Sequence, residues 1–365
     1  MRSNLKLIVP NNFIEFGKKV NGHINLIRET KENYIIRPNL VRFSNGEGKC
    51  VLEESIRGKD VYILTDVSNY GITYKNQVGN HHMMPDEHFM DIIRIISSTC
   101  SHADSIKLVM PYLYQSRQDK REGRSSLDLS VALQILRSMN VDEMITADVH
   151  NKTACDNASP SMSIDNFYCS DDILLELLNK EQIDFNKLMV IAPDKGALAR
   201  ANFYSNILGG VPLGVFEKQR DYTVVKDGKN PITEHKFLSD APLDGKHVIV
   251  VDDMIASGGS ILDTALQLKQ RGAEKIYLID TFGLFTEGIV KFNEYYNKGI
   301  FDKVYVTNLN YMPNRVRKNE WINEVDCSMK VAKIICNLND DEPIGNLLKS
   351  NQETVEKIKR LKRDA

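Results

Sequence analysis

The sequence predicts an α/β protein built on doubly wound, mostly parallel sheets, and three observations carry that prediction. The strand candidates are near-continuous apolar runs, as expected of strands covered on both faces. Between them lie longer stretches with helical spacing, the alternation that builds parallel sheets through crossover helices. The pattern also occurs twice, with apolar strands ending in polar or acidic residues near 66, 119 and 148 and again near 194 and 252. At 365 residues the chain is long for one core, so two domains fit its length.

In chain order the strand candidates are "LKLIVP", "DVYILTD", "SIKLVMPY", "EMITADVH", "LMVIAPD", "PLGVFEK", "HVIVVDD", "KIYLIDTFG" and "KVYVTNL". Helical candidates include 128–139, 171–179, 196–208 and 260–271. The stretch 151–166 has the Asn, Ser, Asp and Pro composition of a linker. It sets the expected boundary near 164, giving domains at 1–164 and 165–313. Past Pro313 the strand–helix rhythm stops, and 314–365 reads as a helical tail with a solvated, charged end, "TVEKIKRLKRDA". Two segments, 68–89 and 218–237, fit neither element; both combine aromatic and charged groups and are expected to act as lids.

Composition excludes several classes. The formal net charge of -2, with 42% hydrophobic and 26% charged residues, describes a soluble globular chain without a basic field for nucleic acid or an anionic membrane. No apolar run approaches the roughly 18 residues of a membrane span. The first apolar run is broken by Pro10 and Asn11, so it reads as a strand rather than a secretory signal. The six cysteines form no Cys-x-x-Cys pair and no zinc-ligand cluster, which points to a reducing, cytoplasmic setting.

The most informative stretch is "HVIVVDDMIASGGS". An apolar strand delivers Asp252 and Asp253 to the sheet edge where open α/β folds bind ligands. Ala256, Ser257, Gly258, Gly259 and Ser260 then open a helix. Glycines admit close backbone approach, and a helix N-terminus offers unpaired amides and partial positive charge to a phosphate. Paired carboxylates accept hydrogen bonds from vicinal ribose hydroxyls. A lone "SGGS" would be an ordinary strand-to-helix turn; with the doubled carboxylate before it, the reading is a ribose 5-phosphate site.

This stretch resembles the phosphoribosyl-binding motif of phosphoribosyltransferases and of ribose-phosphate pyrophosphokinases. Other stretches select the second family, in its order, over about residues 5–312. "RFSNGEGKCVLEESIRGKDVYIL" resembles its adenine loop, "MPYLYQSRQDKR" carries its Arg-Gln-Asp motif, and "ITADVH", "IAPDKGALARA" and "VFEKQRDY" resemble its metal and catalytic-loop segments. The resemblance implies two tandem phosphoribosyltransferase-like domains. It also implies transfer of the β,γ-pyrophosphoryl group of ATP to the C1 hydroxyl of ribose 5-phosphate, yielding phosphoribosyl pyrophosphate and AMP. Mg2+ would be held by His150 and Asp194, and Lys218 and Arg220 would be the catalytic cations. Arg117, Gln118 and Asp119 would serve ATP, and Phe43, Asn45 and Glu47 would reach adenine across a subunit interface, implying a homo-oligomer with shared sites.

The chain departs from the family pattern in places. Ala256 stands where the family has Asp, Asn45 where Asp is frequent, and Lys195 beside Asp194 within "PDKGA"; an inward-facing Lys195 would oppose a metal, so it is expected to point elsewhere. The segment 68–89 replaces a shorter phosphate- and regulator-contacting region. Two further readings follow. In one the acceptor is a larger 5-phosphoribosyl compound such as ADP-ribose. In the other the chain is a catalytically silent, nucleotide-binding regulatory subunit, which would be expected to have lost the residues it in fact keeps.

Overall fold

The computed structural model describes the chain except residues 1–3, 100–101, 122, 159, 221–231, 349–351 and 365, with backbone alone at 218–220, 232–235, 352–354 and 364. Two units emerge: Met1–Cys169 with Asn308–Pro313 and Asp326–Lys349, and Ser170–Thr307 with Asn314–Val325 and Ser350–Ala365.

The first unit is built on ten strands: β1 (Leu5–Ile8), β2 (Ile35–Ile36), β3 (Asn39–Arg42), β4 (Gly48–Val51), β5 (Asp60–Leu64), β6 (Thr73–Asn76), β7 (Gly79–His82), β8 (Ser105–Val109), β9 (Glu143–Ala147) and β10 (Ser163–Phe167). Six form a sheet in the order β10-β9-β8-β5-β1-β2, and every pairing is parallel. β5, "DVYIL", is buried at every position, which is why its apolar run shows no alternation. The helix Pro85–Thr99 buries Phe89, Ile92, Ile95 and Ile96 at helical spacing against Val61, Ile63 and Leu108. From β1 the chain passes to β2 on one flank, then returns to β5 on the other, so the winding reverses between β1 and β5.

The second unit contributes β11 (Leu188–Ala192), β12 (Leu213–Arg220), β13 (Ile232–Ser239), β14 (His247–Ile255), β15 (Lys275–Gly283), β16 (Lys303–Thr307) and β17 (Ile322–Val325), ordered β13-β12-β11-β14-β15-β16-β17. Only β12 and β13 are antiparallel; the other pairings are parallel. Here the winding reverses between β11 and β14. Fully buried β11 and the apolar start of β14 form the centre of the sheet.

Four local expectations need correction. The linker-like stretch 151–166 contains the helix Lys152–Ala158 and most of β10, an edge strand needing a backbone partner on one side only, so polar residues suffice. The expected boundary at 164 therefore falls inside a strand, and the compact division lies between Cys169 and Ser170. The segment 68–89 is not irregular: it holds the β6–β7 hairpin and the start of the helix Pro85–Thr99. The segment 218–237 includes the end of β12 and much of β13, while 221–231 lie outside the described residues.

The tail is not one helical segment either. The helix Asn314–Arg317 leads to β17, whose core Asn323 and Glu324 conceal a strand that pairs with β16 from the sheet edge. The helix Ser328–Asn339 belongs to the first unit and the helix Gln352–Asp364 to the second. That last helix is solvated on one face only. Ile358 is buried in the second unit's core, and Lys362 Nζ donates to the Leu208 carbonyl at 2.8 Å, at the C-terminal end of the helix Leu198–Ile207.

Candidate active site

In the second unit the carboxylates gather at the reversal of winding. Asp194 follows β11, and Asp252 and Asp253 lie near the end of β14, which runs on to Ile255 through pairing of Met254 with Phe282. Asp253 is buried, and its amide donates to Asp252 Oδ1 at 2.9 Å. Burial first, and the Asp253 charge second, push the Asp252 carboxyl up to about 7, while Arg200, 3.8 Å away, pulls it down. Arg200 sits on the helix Leu198–Ile207. The Asp194 Oδ1 atom accepts from the amides of Gly196 at 2.8 Å and Ala197 at 3.2 Å, which fixes the carboxylate against its own turn. Lys195 turns onto Glu217, 2.6 Å away.

The loop after β14 is built for close approach. Ile255 O accepts from Leu284 N at 2.9 Å, and Ala256 O from Thr286 N at 2.9 Å, tying the loop to the segment after β15. Gly258 has φ of 80°, and a Cβ there would collide with the Phe292 ring, 2.6 Å from Cζ. Phe292 itself is fixed by stacking on Trp321 at 5.4 Å and by an edge contact with Phe285 at 5.2 Å. Gly259 and Ser260 begin the helix Gly259–Gln270, and Ser257 Oγ lies 3.5 Å from the Gly259 amide. The result is a short turn with an aromatic back wall and helix-start amides at its mouth, suited to a phosphate.

In the first unit two separate motifs meet. Arg117 and Gln118 are exposed, and Asp119 Oδ2 accepts from Asn151 Nδ2 at 2.6 Å across 32 residues of sequence. Asn151 Oδ1 also accepts from the Ala154 amide at 3.1 Å, starting the helix Lys152–Ala158. The exposed His150 directly precedes Asn151, so its position is tied to the Arg-Gln-Asp stretch. Phe43, Asn45 and Glu47 form the exposed turn between β3 and β4. There Asn45 Nδ2 donates to Glu47 Oε2 at 2.9 Å, and the Phe43 ring is 47% exposed. Lys218 and Arg220 stand at the end of β12, opposite His235 and Ile232; their side chains lie outside the described residues.

A family model for the N-terminal domain of ribose phosphate pyrophosphokinase matches residues 5–139, and one for the phosphoribosyl transferase domain matches residues 170–282. The chain belongs to the ribose-phosphate pyrophosphokinase family.

Relatives in that family include the chloroplastic ribose-phosphate pyrophosphokinase 1 of Arabidopsis thaliana, 28% identical over 75% of this chain and 63% of its own length. Another is the ribose-phosphate pyrophosphokinase of Nostoc sp., 27% identical over 84% of both chains. The chain thus spans just under two thirds of the first relative. The crystal structure of phosphoribosylpyrophosphate synthetase from Mycobacterium smegmatis shares the fold at a TM-score of 0.73, with 20% identity over 93% of this chain and 100% of that one.

Sequence reasoning missed three residues of this candidate site. Arg200 is one of many charges on a helix, Asn151 looked like linker, and Phe292 drew no reading; only Asn151, directly after His150, carried a local signal.

Proposed function

We propose that this chain transfers the β,γ-pyrophosphoryl group of ATP to the C1 hydroxyl of ribose 5-phosphate, giving phosphoribosyl pyrophosphate and AMP. The observation that carries this reading is the loop after β14: a positive-φ glycine backed by Phe292, a helix start, and Asp252–Asp253 beside it. The acceptor's phosphate takes the amides of residues 256–260, and its ribose hydroxyls donate to Asp252 and Asp253. Arg117, Gln118 and Asp119 bind ATP, with the Phe43 turn supplying a stacking face for adenine and Asn45 and Glu47 its polar edge. That turn works across a subunit interface in a cytoplasmic homo-oligomer. Lys218 and Arg220 neutralise the charge developing on the transferred group.

Mg2+ fits the donors present. Asp194 commits Oδ1 to its own turn and leaves Oδ2 without a hydrogen bond among the described residues, and His150 is exposed. A hard, oxygen-seeking cation kept mostly hydrated needs few protein ligands. When bound, Mg2+ supplies charge neutralisation for the ATP phosphates. Among the described residues no helix is long and apolar enough to cross a membrane.

The test is AMP release from ATP and Mg2+ with ribose 5-phosphate or ADP-ribose as acceptor. Robust turnover with ribose 5-phosphate is expected. Release with ADP-ribose alone would reassign the acceptor, and no release with either would leave a regulatory role.

A further inference from the structure

The β3–β4 and β6–β7 hairpins are each a two-stranded sheet of their own. Such a ribbon is marginal in water and keeps its shape by leaning on something else. The strands of β3–β4 lean on the helix Pro85–Thr99: Arg42 Nη2 donates to Asp91 Oδ2 at 2.7 Å, and Cys50 Sγ lies 3.4 Å from Ser98 Oγ. The turn between these strands is exposed at Phe43, Ser44, Asn45 and Glu47. Within it the Phe43 amide donates to the Glu47 carbonyl at 2.8 Å, and the Gly46 amide to the Phe43 carbonyl at 2.9 Å.

The β6–β7 hairpin meets that turn at its own tip. Gln77, the first residue of the tip, donates its amide to the Ser44 carbonyl at 2.9 Å. Ser44 directly follows Phe43. Arg42, directly before Phe43, holds its guanidinium 5.3 Å from the centre of the Tyr74 ring. The hairpin therefore touches the residue on either side of Phe43. It is itself rooted on the helix that carries Asp91. Tyr74 Oη donates to Glu87 Oε1 at 2.6 Å, while His81 Nε2, at 2.8 Å, and the Met84 amide, at 3.0 Å, meet Glu87 Oε2. Glu87 lies in the first turn of the helix Pro85–Thr99, so both hairpins are anchored to one rigid element.

We propose that the β6–β7 hairpin is a positioning element for nucleotide binding: Gln77 and Tyr74 hold the Phe43 turn in the shape that receives the base. This rests on the Phe43 turn serving adenine. The donor at the tip is the backbone amide of Gln77, so its side chain is not required. A turn already held in its bound shape spares the ligand the cost of ordering it. Apparent affinity falls in proportion as the competent fraction of the turn falls. The effect belongs to the base, and a ligand without one does not feel it.

Calorimetric titration of the full chain, with Mg2+ and no acceptor, compares ATP with inorganic tripolyphosphate, which carries phosphates without a base. Gln77→Pro removes the amide, and Gln77 has no positive φ, so proline suits this first position of the turn. The variant should bind ATP roughly fivefold more weakly, about the worth of one hydrogen bond, and tripolyphosphate as wild type does. Gln77→Ala keeps the amide and should match wild type for both ligands. Tyr74→Leu takes the ring from Arg42 and reads the same contrast if the proline variant does not fold. The proposal is overturned if Gln77→Pro and Tyr74→Leu both bind ATP as tightly as wild type, or if tripolyphosphate weakens as much as ATP. Phe43→Ala separates this from the reading beneath it. If Phe43→Ala binds ATP as wild type does, the turn does not serve adenine. If it alone loses affinity, the turn serves adenine and the hairpin does not position it.

Discussion

Lys195 directs its ammonium onto Glu217, 2.6 Å away, and not onto the neighbouring carboxylate of Asp194. The pair resolves the conflict that the sequence raised, a cation next to a proposed metal ligand, by giving the cation another partner. Lys195 pulls the Glu217 carboxyl below its usual range. Glu217→Gln should free Lys195 to compete with Mg2+ and raise the Mg2+ concentration needed for half-maximal AMP release by roughly threefold, the scale of an exposed ion pair. Lys195→Ala should not. Identical Mg2+ titrations for Glu217→Gln and wild type would remove the pair from the argument.

Gly258→Ala should cost roughly 2 kcal/mol of stability, combining positive-φ strain with displacement of Phe292. If the loop holds the acceptor's phosphate as proposed, the acceptor KM should rise more than the ATP KM. Urea unfolding and steady-state kinetics check the two parts.

Asn151→Ala removes both the bond to Asp119 and the start of the helix Lys152–Ala158. Stability should fall by about 1 kcal/mol. The ATP KM should rise by roughly tenfold, about the worth of one hydrogen bond to a charged group. An unchanged ATP KM would mean that the contact between the two motifs has no bearing on nucleotide binding.

Lys218→Ala and Arg220→Ala should each lower kcat by roughly 100- to 1,000-fold while leaving thermal stability in place. Near-normal kcat in both would exclude them from the chemistry.

Glu143 predicts a pH effect on stability in the first unit. Burial, and then its hydrogen bond with Asp165, push the Glu143 carboxyl up to about 8. Between its unfolded value of 4.5 and about 8 the folded state binds the extra proton, so this group's contribution to stability is full below 4.5 and is lost as pH rises through 8. Glu143→Gln keeps a donor toward Asp165 and should flatten that slope. Urea midpoints at the two ends of this pH window would reveal it; parallel slopes in variant and wild type would rule Glu143 out.

Fold class and the strand-to-helix turn after β14 were legible because apolar runs, doubled carboxylates and glycines act locally: "LMVIAPD" and "HVIVVDD" announce buried strands and their polar ends. What the sequence hid depends on partners far along the chain. β10 and β17 are edge strands whose polar residues are tolerated because one flank needs no cover. Asn323 and Glu324 therefore read as part of a helical tail until Thr307 and its neighbours in β16 pair with β17. Arg200 and Phe292 gain meaning only from the Asp252 carboxylate and the missing Cβ of Gly258.

The late return of the chain to the first unit sets a timetable for synthesis. Asp60, near the start, receives a hydrogen bond at 2.7 Å from Asn339, which also accepts one at 2.7 Å from Arg28. At ribosomal speeds of about 5–20 residues per second, Asn339 follows Asp60 by on the order of ten seconds or more. Through that interval the nascent first sheet lacks its closing helix and carries a carboxylate waiting for its amide. Helpers that bind unfinished chains have their opportunity there, and a gene fragment ending at the nominal boundary would express a permanently unfinished product.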